Sequence, residues 1–384
     1  MEISKNIHYI GVNDRKIDLF EGMYKVPNGI AYNSYVILDE KVAVMDTVDC
    51  AFQDEWLAKL QSVLTGRQPD YLVVQHMEPD HSACVAAFME KYPAAKLVAS
   101  SRAIAMIRNY FSKDLAARAI AVADGDTLSL GEEVLSFISA PMVHWPEVIM
   151  TYLPKAKVLF SADAFGKFGA TDARDDWACE ARRYYFGIVG KYGVQVQAVL
   201  KKLSALQVDV ICPLHGPVLK ENLPYYLNLY NIWSSYGVES DGVMIAYTSV
   251  YGNTKKAVEL LSSELIKNGC EKVVVIDLAR YDRSEAVEDA FRYGKIVFAS
   301  TTYNGGLFPF MREFLCDLAE RNFQNRTVAY IENGSWAPMA AKKMQDMLSG
   351  CKNLAVCAPT IQIVSAMTGE NIMQIKDLAK ELCK

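Results

Sequence analysis

From Gly242 onward the chain alternates apolar, β-rich runs with helix-period stretches, and that alternation admits few folds. The run VMIAYTS is followed by KKAVELLSSELIKNG, VVVIDL, AVEDAFRYG, KIVFAST, a helix, TVAYIE, another helix and AVCAPTIQIV, with a last helix over about residues 369–384. Strands separated by helices of about 10–15 residues pair side by side in one direction, giving an α/β, doubly wound parallel sheet.

The first half reads differently. Residues 35–45 are two β-rich runs around a polar Asp39-Glu40-Lys41 turn, which predicts a hairpin. A short strand over 71–75 ends at His76, and helices are expected over 82–91 and 101–110. Strands follow over 134–140, 148–153 and 157–161, then one long helix over 182–203 and a buried strand over 208–212. The change of pattern near Tyr236–Asp241 predicts two domains, 1–238 and 241–384, as expected for 384 residues. No apolar run approaches the ~18–20 residues needed to cross a bilayer, and the N-terminus lacks a signal-peptide core. Nine scattered cysteines without a CxxC pair argue against a disulfide framework and for a reducing cytoplasm. Lys+Arg of 40 against Asp+Glu of 45 leaves no positive excess for nucleic-acid binding.

The placement of the histidines carries the chemistry. Gln75-His76-Met77-Glu78-Pro79-Asp80-His81 puts two imidazoles and two carboxylates just beyond one strand. His144, Asp163 and His215 each fall just beyond the end of a later strand, and only His8 lies outside the set. A single histidine is ordinarily a hydrogen-bonded core or surface residue. Four of them with three carboxylates would repel or desolvate one another unless cations sat among them. Seven donors exceed one tetrahedral metal and suit two metals bridged by a carboxylate. Without thiolates, the oxygen-rich set moves preference from zinc toward iron or manganese.

The order His-x-Glu-x-Asp-His, then His, Asp and His, resembles the metallo-β-lactamase-like hydrolases, with Glu78 in place of their second histidine. The glutamate form is that of the flavodiiron proteins. Tyr32-Asn33-Ser34-Tyr35, Asp46-Thr47-Val48, His144-Trp145-Pro146 and Ser161-Ala162-Asp163 also match that family. The resemblance implies a metallo-β-lactamase-like αββα sandwich followed by a flavodoxin-like sheet. It further implies that His76, Glu78 and His144 bind one iron and Asp80, His81 and His215 the other, with Asp163 bridging. Asp46 would brace these residues without binding metal. Trp145, Tyr184 and Tyr185 read as packing over the pocket.

Three loops in the second half complete the pattern. Ser249, Val250, Tyr251, Gly252, Asn253 and Thr254 stand between a strand and a helix opening with Lys255-Lys256. Hydroxyls and a glycine there can wrap a phosphate at the positive end of the helix dipole. The loop lacks both the Walker A ending and the GxGxxG turn, and resembles the phosphate loop of flavodoxins. Ser300, Thr301, Thr302, Tyr303, Asn304, Gly305 and Gly306 follow the next strand but one, and Asn333, Gly334, Ser335 and Trp336 the one after. Both fall at carboxyl ends of parallel strands, where such sheets bind flavin, and Tyr303 or Trp336 could stack on the ring.

FMN joined to two iron ions is an electron-delivery arrangement. Reduced flavin and two ferrous ions hold four electrons, the number one O2 needs to become water, whereas two NO need two to become N2O. The family resemblance implies those two reductions, with rubredoxin or a reduced deazaflavin coenzyme as donor. It also implies a head-to-tail homodimer, or a dimer of such dimers. No rubredoxin-type CxxC pair follows the second half, which resembles the two-domain class. The competing expectation is a zinc hydrolase of the same fold with an attached flavodoxin-like module.

Overall fold

The computed structural model describes residues 2–111 and 113–384. It divides into two compact units: one runs to Tyr185 and takes in Val194–Asn231, the other comprises Phe186–Gly193 and Ile232–Lys384. The change of pattern at Tyr236–Asp241 falls just inside the second unit. There the buried Arg326 guanidinium donates to the carbonyls of Tyr236 at 2.8 Å and Gly237 at 2.9 Å, tying the connector down.

In the first unit a mixed sheet runs in the order Glu2–Ser4, Ile7–Tyr9, Tyr35–Leu38, Val42–Met45, Tyr71–Val74, Lys96–Ser100, Ala119–Val122. A second sheet orders Thr127–Ser129, Val134–Ser139, Ile149–Leu153, Val158–Phe160, Val210–Cys212. Alternating side chains of both sheets, among them Tyr35, Met45, Val73, Phe137, Ile149 and Phe160, close one core between them. The hairpin predicted at residues 35–45 pairs Tyr35 with Met45 and Leu38 with Val42.

Two helical expectations need correction. Residues 82–91 are one turn, Pro79–Ser82, followed by Val85–Lys91. The helix expected over 182–203 is interrupted: Trp177–Tyr184 is α-helical, Tyr185–Val189 a π turn, Gly190–Tyr192 a 3-10 turn, and Gly193–Leu203 α-helical again. Gly187, Gly190 and Gly193 weaken the ladder here. The Tyr236 hydroxyl takes the Gly190 carbonyl at 2.8 Å, and a Cβ at Gly193 would lie 2.4 Å from the Ser234 carbonyl oxygen.

The second unit is the predicted parallel sheet, ordered Val273–Asp277, Ser240–Tyr247, Tyr293–Tyr303, Arg326–Asn333, then Leu354–Val356 and Ile361–Ile363. Its strand order is 2-1-3-4-5, the flavodoxin-like arrangement with a switch point beside the first strand. Residues 355–364, expected as one strand, form two short ones flanking Pro359, which has no N–H to offer the ladder. Helices Asn253–Lys267 and Gly369–Leu382 bury Leu261, Leu265, Ile375 and Leu378 against one face.

Candidate metal centre and flavin site

Four of the predicted metal-binding residues sit just beyond strand ends, while Glu78 caps and Asp80 and His81 lie in the short helical turn Pro79–Ser82. His76 follows Tyr71–Val74, His144 follows Val134–Ser139, Asp163 follows Val158–Phe160 and His215 follows Val210–Cys212. The loops converge. His76, Glu78, His144 and Asp163 bring one donor atom each within 4.8 Å of one another, and so do Asp80, His81 and His215. Asp163 faces both groups. Its Oδ2 lies 3.3 Å from His76 Nε2 and 3.0 Å from His144 Nε2, while its Oδ1 lies 3.3 Å from His81 Nε2 and 3.8 Å from His215 Nε2.

Buried residues of the first unit hold these loops. Asp46 accepts from the Gln75 backbone N–H at 2.7 Å, the Gln75 amide at 2.8 Å and the His76 N–H at 3.3 Å. Asn33 donates to Pro213 and Gly216 carbonyls, both at 2.8 Å, and Tyr35 to Pro213 at 2.6 Å, fixing the turn around His215. His215 Nδ1 is 2.7 Å from the Ala31 carbonyl, and His76 Nδ1 is 2.8 Å from Glu147 Oε1. A carbonyl can only accept, so His215 carries its proton on Nδ1 and turns an Nε2 lone pair inward. Phe20, Tyr32 and Tyr184 wall His215 with ring centroids 5.4, 6.2 and 5.3 Å away, and Trp145 stands edge-on to His76 at 5.2 Å. Glu147, Ala31 and Phe20 carry no mark in the sequence, because an isolated acid, a backbone carbonyl and a phenylalanine form no motif.

The electrostatics ask for cations. Burial and the neighbouring Glu78 and Asp163 push the Asp80 carboxyl up to about 7, although His81 opposes them. Asp163 is buried yet held well below the usual carboxylate range by His76, His144 and His81. Burial works against a charge on His144, but Asp163 and Glu78 outweigh it and raise its pKa to about 9. Burial and then His81 lower His215 to about 4. Both oxygens of Asp80 and of Asp163 are buried without a hydrogen-bond donor of proper geometry, despite imidazoles within ion-pair distance. Buried carboxylates and imidazole nitrogens converging on two points fit a pair of metal ions, and a nitrogen–oxygen donor set without thiolate fits iron. Glu21 is solvent-exposed as a residue, but its carboxyl end reaches Glu78; burial and then that negative charge push it up to about 8.

In the second unit a cavity of about 430 Å3 gathers the predicted flavin loops. Ser249, Val250, Tyr251, Asn253 and Thr254 line it, with Thr301, Thr302, Tyr303, Asn304, Gly305, Asn333, Gly334, Ser335 and Trp336. Gly252, Ser300 and Gly306 are not among the lining residues. Gly252 takes a left-handed φ of 86° at the mouth of the helix, and Ser300 is buried behind the wall, 2.9 Å from the Thr248 hydroxyl. Ala337, Met339 and Ser365 also line the cavity. Residues 300–303 prove to be strand rather than loop: Tyr293–Tyr303 continues into a hairpin that pairs Tyr303 with Gly306 around Asn304 and Gly305, both left-handed. The Ser249 hydroxyl draws in the N–H groups of Gly252 at 3.1 Å and Lys255 at 3.3 Å, and the helix's first turn holds no acid. Tyr251 at 93% and Trp336 at 83% exposure leave large aromatic faces uncovered, which fits a planar ring system.

The comparisons with known proteins agree with this anatomy. Residues 30–216 match the ODP family beta lactamase model, and residues 244–367 match a flavodoxin domain. The nitric oxide reductase of Moorella thermoacetica is 30% identical over 99% of this chain and 97% of its own. The chain belongs to the flavodiiron family. The rubredoxin oxygen:oxidoreductase of Desulfovibrio gigas superposes with a TM-score of 0.93 at 26% identity, covering 100% of this chain and 97% of the other. The flavodiiron protein of Giardia intestinalis shares the fold, with a TM-score of 0.92 at 24% identity over 100% and 95%. This flavodiiron chain is therefore an oxidoreductase with FMN and a di-iron centre as cofactors, and the hydrolase alternative falls away. Among the described residues no helix is long and apolar enough to cross a membrane.

Proposed function

We propose that this flavodiiron protein reduces O2 to water, nitric oxide to nitrous oxide, or both. His76, Glu78 and His144 would hold one iron, Asp80, His81 and His215 the other, with Asp163 shared between them. The observation that carries this is Asp163, whose two oxygens each face a different donor group. Iron would supply one-electron chemistry toward a diatomic oxidant, and FMN a two-electron store. The chain's own residues do the positioning: Asp163 fixes the spacing of the two positions, Glu147 and Ala31 orient the imidazoles, and Phe20, Tyr32 and Tyr184 keep bulk water from the His215 side. In the second unit Ser249, Thr254 and the helix start at Asn253 would take the flavin phosphate, and Tyr303 or Trp336 would stack on the ring.

Electrons enter from rubredoxin or a reduced deazaflavin coenzyme, and the working unit is a head-to-tail homodimer in which the flavin of one chain serves the iron pair of its partner. Nine cysteines scattered along the chain without a CxxC pair suit a reducing cytoplasm as the place of work. The test is anaerobic: reduce the purified protein, then time its reoxidation by O2 and by NO separately. Two zinc ions per chain in iron-grown protein, with ester hydrolysis that needs no reductant, would overturn the proposal.

A further inference from the structure

Three imidazole nitrogens behind the metal-facing edge show that the two donor groups are braced unequally. His76 Nδ1 meets a carboxylate, Glu147 Oε1, at 2.8 Å. His215 Nδ1 meets a neutral carbonyl, Ala31, at 2.7 Å, and His81 Nδ1 is buried with no partner. Glu147 is itself wholly buried at its side chain. The Met77 backbone N–H donates to its Oε1 at 2.9 Å, and Ser100 donates to its backbone carbonyl at 2.8 Å. Glu147 Oε2 is buried without a partner, so Oε1 alone takes both contacts; a carboxylate there makes His76 a stronger electron donor through Nε2 and holds the ring at one angle.

We infer that Glu147 is a positioning residue that makes the His76–Glu78–His144 position the tighter of the two iron positions. The Asp80–His81–His215 position, braced by a neutral carbonyl and by nothing at His81, gives up its metal first. This rests on the di-iron reading above and adds an order to it. A carboxylate behind a metal-binding histidine is worth about 10–100-fold in metal affinity, so release from the two positions should separate by a factor of that size.

The experiment uses the intact holoprotein. Elemental analysis comes first and establishes two irons per chain; zinc there would sink the di-iron reading itself, not this inference. The reduced protein is then mixed anaerobically with ferrozine, and iron release is followed by the chelator's colour. The wild type should lose one iron quickly and one about 10–100-fold more slowly. Glu147→Gln keeps an acceptor for His76 Nδ1 and the side-chain volume but loses the charge. It should accelerate the slow phase toward the fast one, leave the fast phase and the FMN content unchanged, and raise the reduction potential of the iron pair read by EPR. Glu147→Leu, which offers no acceptor, should accelerate the slow phase further. A single phase in the wild type, equal acceleration of both phases, acceleration of the fast phase alone, or no change in Glu147→Gln would each overturn the inference. Should Glu147→Leu not fold, Glu147→Gln decides.

Discussion

His81 and His215 turn their Nε2 atoms to 3.0 Å from one another inside a fully buried pocket. Because His215 gives its Nδ1 proton to Ala31, its Nε2 is a lone pair. Burial works against a charge on His81, while Asp80 and Asp163 favour it. A metal ion between the two rings would meet the His215 lone pair with positive charge.

Metal uptake should therefore expel protons and strengthen with pH. Asp80, raised to about 7, and His144, raised to about 9, bind protons at neutral pH that must leave before they can ligate. Ferrous-ion affinity should climb from pH 6 to about 9 and then level off. Anaerobic titration of the apoprotein in weak buffer with a pH indicator measures the protons released; uptake without release across that range would be the contrary result.

Replacing Asp163 by Ala removes the carboxylate whose two oxygens face both donor groups. The loss should exceed the ~10–100-fold typical of outer partners, with iron content falling to one or none and oxidant reduction abolished. The flavin spectrum should persist. Full turnover with two irons in this variant would show that Asp163 does not bridge.

Glu78→His restores the histidine of the hydrolase pattern at a position 3.0 Å from His144 Nε2. An imidazole in place of a hard oxygen should shift the bound metal toward zinc in medium containing both metals. Metal analysis beside an unchanged FMN content gives the answer, and an unaltered iron-to-zinc ratio would deny Glu78 its selective part.

Ser249→Ala takes away the hydroxyl that gathers the Gly252 and Lys255 N–H groups. Losing one hydrogen bond to a charged phosphate costs about 1.5–3 kcal/mol, so FMN should bind roughly 10–100-fold more weakly. Fluorescence titration of the flavin-free protein measures this, and iron content should not move.

Mixed dimers test transfer between chains. Asp163→Ala chains keep FMN, and Ser249→Ala/Thr254→Ala chains keep iron; each alone should be inactive. Their mixture should regain some turnover through the one competent pairing in a two-fold dimer. Subunits shown to exchange that remain inactive would place transfer within one chain.

Much of this was legible in the sequence because the signals are local. Strand–helix alternation after Gly242 specifies a parallel sheet, and four histidines and three carboxylates beyond strand ends specify a metal pair whatever the intervening lengths. Local signals also misled. A helical period runs through residues 182–203, yet Tyr236, far along the chain, takes the Gly190 carbonyl and breaks the ladder. Residues 300–303 read as a polar loop, but pairing of Ser300 and Thr301 with Glu332 and Asn333, and of Thr302 and Tyr303 with Leu307 and Gly306, keeps them extended. The residues that orient the site were hidden for the same reason. Glu147 lies 71 positions from His76 and Ala31 lies 184 from His215. The sequence names the donors, because metal chemistry demands particular side chains. Only the tertiary structure decides which acceptor stands behind each imidazole, because a hydrogen bond depends on where the backbone places an oxygen, and almost any residue can supply that backbone.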